Sequence, residues 1–189
     1  FRHLKRNYFG HASYWKISGR PVVGLYVTRT FKGFTADHAW QLRDEIDADV
    51  YLIADEAFFG EQASPETARN AGDAFDAYTA YNMFENAKVR DADTALTYQS
   101  REAFALAESD KFPPALCPSY ADFRGHKKLP GTPADFTTLL DAATTIAQRS
   151  DASGPPVVFV TSFNEWWEGT TIEPAREYGS EYLEAIRDR

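Results

Sequence analysis

The chain has one cysteine in 189 residues, so it forms no intrachain disulfide and no thiolate metal cluster. That residue, Cys117, sits in the apolar run Ala115-Leu116-Cys117-Pro118 and reads as an inert buried thiol. No window approaches the ~20 apolar residues of a membrane-spanning helix. Basic residues are outnumbered, 20 Lys and Arg against 28 Asp and Glu. The resulting net charge of −8 argues against nucleic acid as a partner. The nearest thing to a basic cluster, Arg124 with His126, Lys127 and Lys128, reads as a solvated loop. Four histidines, His3, His11, His38 and His126, are scattered without metal-ligand spacing, and no catalytic metal or cofactor is expected. A glycine-rich nucleotide loop is missing too: Val27-Thr28-Arg29-Thr30 follows the first buried strand, which weakens a dinucleotide-binding reading. Ser162 has no Gly-x-Ser-x-Gly elbow and Cys117 no evident His partner, so nucleophilic serine or cysteine chemistry is unsupported.

What is present is aromatic and alternating. Phe, Tyr and Trp make up 15% of the chain. Apolar runs at 22–27, 50–54, 75–81, 113–118 and 157–162 read as strands. Helical patterns separate them: 36–46 after a Thr35 N-cap, 91–109, 133–146 after Thr132, and 178–186 at the end. A short helix is expected from Ser64-Pro65-Glu66. Ser18-Gly19-Arg20-Pro21 reads as a turn, and Ser119 to Gly131 as a loop. Strand followed by helix about five times, with continuous apolar strands, predicts a parallel sheet with helices outside it. The chain reads as one domain, 1–189. Polar residues gather where strands end: Tyr26, Asp55, Glu56, Tyr81, Tyr120, Asp122, Glu165 and Glu168. In parallel α/β folds that edge carries the site.

The last strand has the richest ending. Val157 to Val160 runs into Thr161-Ser162-Phe163-Asn164-Glu165-Trp166-Trp167-Glu168-Gly169-Thr170. Folding requires none of this density of acids and indoles. Two acids that move protons, beside Trp faces that stack on pyranose rings, suit a sugar-processing site. On a regular strand, residues three apart face opposite sides, so Glu165 and Glu168 must lie where the strand gives way to a turn. Close carboxylates repel when both are charged, which separates their proton affinities into an acid and a base. Asn164 reads either as a ligand for a sugar hydroxyl or as a support for Glu165. Asp55, Glu56 and Asp122 read as hydroxyl ligands or as solvated loop acids. Glu173 reads as the start of the last helix.

This segment, with Ile172-Glu173 after it, resembles the signature of glycoside hydrolase family 99, the endo-α-mannosidases. It is also similar to the WbsX-like proteins of polysaccharide loci. Tyr8-Phe9, Tyr14 and Gly19-Arg20-Pro21-Val22-Val23 resemble the family's entry to a mid-barrel strand. Phe75-Asp76-Ala77-Tyr78 and Pro118-Ser119-Tyr120 with Asp122 are weaker matches in the same order. The resemblance implies a (β/α)8 barrel of the TIM type. Such a barrel needs ~250 residues, so the chain corresponds to its C-terminal part, about five βα units, with a partner segment as one way to complete it. It also implies a glycosidase acting on oligosaccharide or polysaccharide. Glu165 would be the base on a substrate 2-hydroxyl and Glu168 the acid and then base at the leaving oxygen, with Trp166 walling the pocket. A family tyrosine near the base would fall on Tyr78 or Tyr81, either of which also reads as a core residue. The mannosidases usually carry His where this chain has Trp167, which leaves the sugar open. The alternatives are a non-hydrolytic saccharide-binding or polysaccharide-assembly protein of the WbsX-like kind and an inactive barrel fragment.

Overall fold

Ser18 and Gly19 take positive φ, 50° and 79°, and turn the chain back on itself. The turn joins β1 (Lys16–Ile17) to β2 (Arg20–Leu25) as an antiparallel pair, Ile17 opposite Arg20. The computed structural model describes residues 1–26, 28, 35–46, 49–55, 74–81, 90, 93–107, 112–122, 124, 128–149 and 156–189. The helix expected from Ser64, and the acid Glu56, lie outside them.

Helix α1 (Arg2–Asn7) precedes the hairpin, and α2 (Ala36–Ile46) follows β2. Then come β3 (Tyr51–Asp55), β4 (Ala77–Thr79), α3 (Ala95–Ala107) and β5 (Ala115–Leu116). A small ladder of β6 (Tyr120–Ala121) and β7 (Lys128–Leu129) leads to α4 (Pro133–Arg149), β8 (Phe159–Val160) and α5 (Glu181–Arg187). β2, β3 and β4 are parallel neighbours, with Val22 opposite Tyr51 and Ile53 opposite Ala77. β5 and β8 form a second parallel pair, Leu116 opposite Val160. Each of the five expected runs therefore contains a strand, parallel to its neighbours within its sheet. Among the described residues they form two sheets and no closed barrel. The expected loop from Ser119 to Gly131 contains the β6–β7 ladder, which is too short and too polar to show as a periodic pattern.

Helix starts follow local chemistry. The Thr132 hydroxyl accepts the Asp135 N–H at 3.2 Å and the Asp135 carboxylate accepts the Thr132 N–H at 3.0 Å, a reciprocal cap before Pro133. Thr35 and His38 close the first turn of α2 in the same way, with the Thr35 N–H donating to His38 Nδ1 at 3.2 Å. No described helix is long and apolar enough to cross a membrane.

The sheets bury both faces. Outward, Val23, Leu52 and Ala54 pack with Ala39 and Ile46 of α2 and with Phe75. Leu116 packs with Phe136, Leu140 and Ala143 of α4 and with Tyr182 of α5. Inward, Val22, Ile53 and Ala77 meet Val157 and Phe159 across the space between the sheets. Cys117, just past β5, has both backbone groups satisfied by one buried side chain. Its N–H donates to Gln99 Oε1 at 2.7 Å and its C=O accepts from Gln99 Nε2 at 2.8 Å, so Gln99 takes the place of a neighbouring strand.

Two ends of the fold have different jobs. At the amino ends of β2–β4, the Asp76 carboxylate accepts from Arg20 at 2.8 Å, from the Leu52 N–H at 2.8 Å, and from Arg43. Elsewhere, among the described glycines, the fit is tightest at Gly131, where an added Cβ would fall 1.9 Å from the Pro118 carbonyl oxygen. Gly131→Ala is expected to cost about 2–3 kcal/mol, because backbone must move to admit the methyl group. Gly10→Ala, with open space around it, is expected to stay within about 0.5 kcal/mol. Denaturant midpoints of the two variants test the pair.

Candidate active site

Strand parity decides which side chains meet at the carboxyl edge. Gly24 on β2 and Tyr26 just past it, Asp55 on β3, Thr79 on β4 and Tyr81 just past it, and Phe159 on β8 with Thr161 just past it alternate onto the inner side. With Trp15 they line a cavity of about 320 Å³ between the sheets. Tyr78 has the opposite parity. It is 2% exposed and packs with Phe75 and, stacked at 5.3 Å, with Phe112. Of the two candidate tyrosines, Tyr81 faces the cavity, and Tyr78 is corrected from ligand to core residue.

Asp55, read as a hydroxyl ligand or a solvated loop acid, is buried at 2% exposure, and its Oδ1 accepts the Tyr81 N–H at 3.0 Å. It thereby fixes the end of β4 to β3. Tyr26, 60% exposed, meets Tyr81 edge to face at 5.3 Å. Burial raises the Tyr81 hydroxyl above the ordinary tyrosine range, and the Glu168 carboxylate, the Tyr26 phenol and the Glu165 and Asp55 carboxylates add to the effect. Glu165 and Glu168 thus both favour the protonated Tyr81 hydroxyl, which stays a donor at neutral pH.

A turn held by backbone and hydroxyl bonds makes this convergence possible. The Ser162 N–H donates to the Thr170 C=O at 2.8 Å, and the two hydroxyls lie 3.0 Å apart. The Ser162 hydroxyl also accepts the Glu165 N–H at 2.8 Å. Between them the chain curls through Trp166 to Gly169, whose N–H reaches the Trp166 C=O at 3.2 Å. Gly169 has φ 62°, and a Cβ there would meet Ala121 at 3.2–3.3 Å. The neighbouring loop fastens the acid: the Ala121 N–H donates to the Glu168 C=O at 2.7 Å and the Ser119 hydroxyl to the Gly169 C=O at 2.5 Å. Ser119 and Ala121 are therefore supports that the sequence did not reveal. In the sequence Ser119 stands out only in the weak Pro118-Ser119-Tyr120 match, and Ala121 only by its position after the adjacent strand.

The other expected residues divide. Asn164 keeps an exposed side chain, and Ser162 rather than Asn164 holds Glu165. Trp166 and Trp167 are 48% and 68% exposed on the turn after β8, which with Glu165 and Glu168 lies outside the residues that line the cavity. Asp122 Oδ1 accepts the Arg124 N–H at 2.8 Å, which with the Arg124 guanidinium draws its carboxyl below the usual range. Asp122 organises the turn after β6 and does not line the cavity. Glu173 does not begin the last helix, since α5 starts at Glu181; its carboxylate instead accepts the indole N–H of Trp166 at 3.0 Å. Cys117 is the inert thiol expected: burial pushes it well up, and Sγ donates to the Ser119 C=O at 3.1 Å. Trp15, Thr79, Phe159 and Thr161 went unmarked in the sequence; strand parity with Asp55 and Tyr81 would have found the last three.

Comparison with known proteins falls on the same ground. A family model described as "Glycosyltransferase WbsX" matches residues 121–186, the segment that holds both glutamates. Two solved structures of the GH99 endo-α-mannosidase from Bacteroides thetaiotaomicron resemble the chain. One is 20% identical with TM-score 0.58, covering 98% of this chain and 60% of that one. The other is 22% identical with TM-score 0.56, covering 98% and 57%. A glycoside hydrolase-like protein gives TM-score 0.64 at 18% identity, covering 95% and 56%. No curated protein matches. The resemblance read from the motif is thus met in both groups. The chain has a glycoside hydrolase-like fold and spans less than two thirds of the length of these solved proteins.

Proposed function

We propose that the chain carries the acid–base edge of a glycoside hydrolase acting on an α-mannoside-like bond in an oligo- or polysaccharide. The observation that carries this reading is the turn after β8, which holds Glu165 through the Ser162 hydroxyl at 2.8 Å and Glu168 through the Ala121 N–H at 2.7 Å, at the carboxyl edge of the parallel strands. Glu165 removes the proton of the substrate 2-hydroxyl, and that oxygen attacks the anomeric carbon. The glycosidic bond breaks as Glu168 protonates the leaving oxygen, which leaves a 1,2-anhydro sugar. Glu168, now a carboxylate, deprotonates water, which attacks the anomeric carbon. The three-membered ring opens as Glu165 returns its proton to O2, and configuration is retained overall. Tyr81, Tyr26 and Asp55 line the cavity and would receive the sugar, and Asn164, Trp166 and Trp167, exposed on the turn after β8, would meet it from outside.

Trp167 favours a second reading. A large indole stands where the mannosidases usually carry His, so a saccharide-binding protein without turnover, of the WbsX-like kind, fits the same pocket. Glycan hydrolysis lost in Glu165→Gln and in Glu168→Gln supports the enzyme. Calorimetric binding of the glycan without any hydrolysis supports the second reading, and neither binding nor hydrolysis defeats both.

A further inference from the structure

Trp166 is half exposed, so water would satisfy its indole N–H. It is bonded to a carboxylate all the same, Nε1–H donating to Glu173 Oε2 at 3.0 Å. Glu173 is itself immobilised. Its N–H donates to the Phe163 C=O at 2.8 Å and lies 3.2 Å from the Thr171 hydroxyl. Its C=O accepts the Tyr178 hydroxyl at 3.0 Å. The Thr171 hydroxyl returns to the same Phe163 C=O at 2.9 Å. A short segment after the site turn is thus tied back to the residue that enters it, and its one outward carboxylate grips the ring between the two glutamates.

We propose that Glu173 is a positioning residue that locks Trp166 as a fixed stacking face for the pyranose ring beside Glu165 and Glu168. The inference rests on the saccharide reading above and adds the residue that orients the ring. A free indole on a surface turn samples several rotamers, and ordering it on binding costs about 0.5–1.5 kcal/mol. A ring held beforehand avoids that cost, and a charged acceptor holds an N–H more firmly than a neutral one.

The test uses Glu173→Ala, Glu173→Gln and Trp166→Ala. In the NMR spectrum of the ligand-free protein, Trp166→Ala identifies the indole N–H signal. That signal is expected to be protected from solvent exchange, to lose protection in Glu173→Ala and to keep it in Glu173→Gln, whose amide oxygen still accepts. Calorimetry with an α-mannoside oligosaccharide is expected to show weakening of roughly twofold to tenfold in Glu173→Ala. Glu173→Gln is expected to bind near the wild-type level and Trp166→Ala to lose at least as much as Glu173→Ala. An unchanged indole signal in Glu173→Ala overturns the proposal. So does equal glycan affinity of Glu173→Ala and wild type when wild type binds. Failure of the wild-type protein to bind glycan overturns the saccharide reading itself, a distinguishable result. Should Glu173→Ala misfold, a Glu173→Gln variant that folds but loses the protected signal still overturns it.

Discussion

Glu168→Gln is expected to lower glycan hydrolysis by roughly 10²–10⁴-fold, the usual contribution of a positioned proton donor. The same loss is expected for Glu165→Gln. The reason is geometric. Glutamine keeps the shape of the side chain but supplies no proton to a leaving oxygen and takes none from a hydroxyl. Backbone anchoring survives in both variants, since the Ala121 N–H bonds the Glu168 main chain and Ser162 bonds the Glu165 main chain. Each variant should therefore unfold near the wild-type temperature and retain glycan affinity to within a few fold. Reducing-end release measured beside calorimetry separates lost chemistry from lost binding. Turnover within tenfold of wild type in either variant removes that residue from the proposed role.

Asp76→Ala is expected to cost about 2–4 kcal/mol of stability, with the glycan pocket left intact when the variant folds. The side chains of Arg20, Arg43 and Asp76 are 25%, 18% and 18% exposed, so part of the penalty for unpaired guanidinium groups is relieved by water. Three donors lose their acceptor at once, including the Leu52 N–H at the start of the β3–β4 ladder. Burial alone would raise the Asp76 carboxyl; bonds from Arg20, Leu52 and Arg43 outweigh it and hold the group below the ordinary range. Asp93 behaves alike. Arg101, bonded at 2.9 and 3.0 Å, and the Arg90 N–H hold it at about 2. Because both folded-state values lie below the unfolded ones, the stabilisation is complete above about pH 4 and is lost as pH falls toward 2. Urea midpoints should be flat from pH 7 to 5 and fall between pH 4 and 2.5. The fall should shrink in Asp76→Ala. A midpoint that does not change across that acid range contradicts the assignment.

The parallel strands were legible because Val22-Val23, Leu52-Ile53-Ala54 and Leu116-Cys117 are buried on both faces and read as unbroken apolar runs. The two catalytic candidates were legible because acids and indoles at a strand end have no folding purpose. Parity was harder. Tyr78 and Tyr81 are three apart and must face opposite sides, but which one faces inward depends on the pairing of Ala77 with Ile53, a contact between distant segments. Asp55 read as a ligand or a solvated acid, and not as a tie between strands, because its partner, the Tyr81 N–H, lies 26 residues away. The support of Glu168 by Ala121 was illegible for the same reason, since the two lie 47 positions apart. Local periodicity records what a residue prefers, and these contacts are decided by what arrives later in the chain.

The fastening of Glu168 and Gly169 to Ala121 and Ser119 has a consequence for how such a site diversifies. The proposed proton donor takes its coordinates from the preceding crossover as much as from its own strand. Drift in the length or sequence between Tyr120 and Leu129 would therefore shift the reach of the acid toward a different linkage, while every residue that performs chemistry stays as it is.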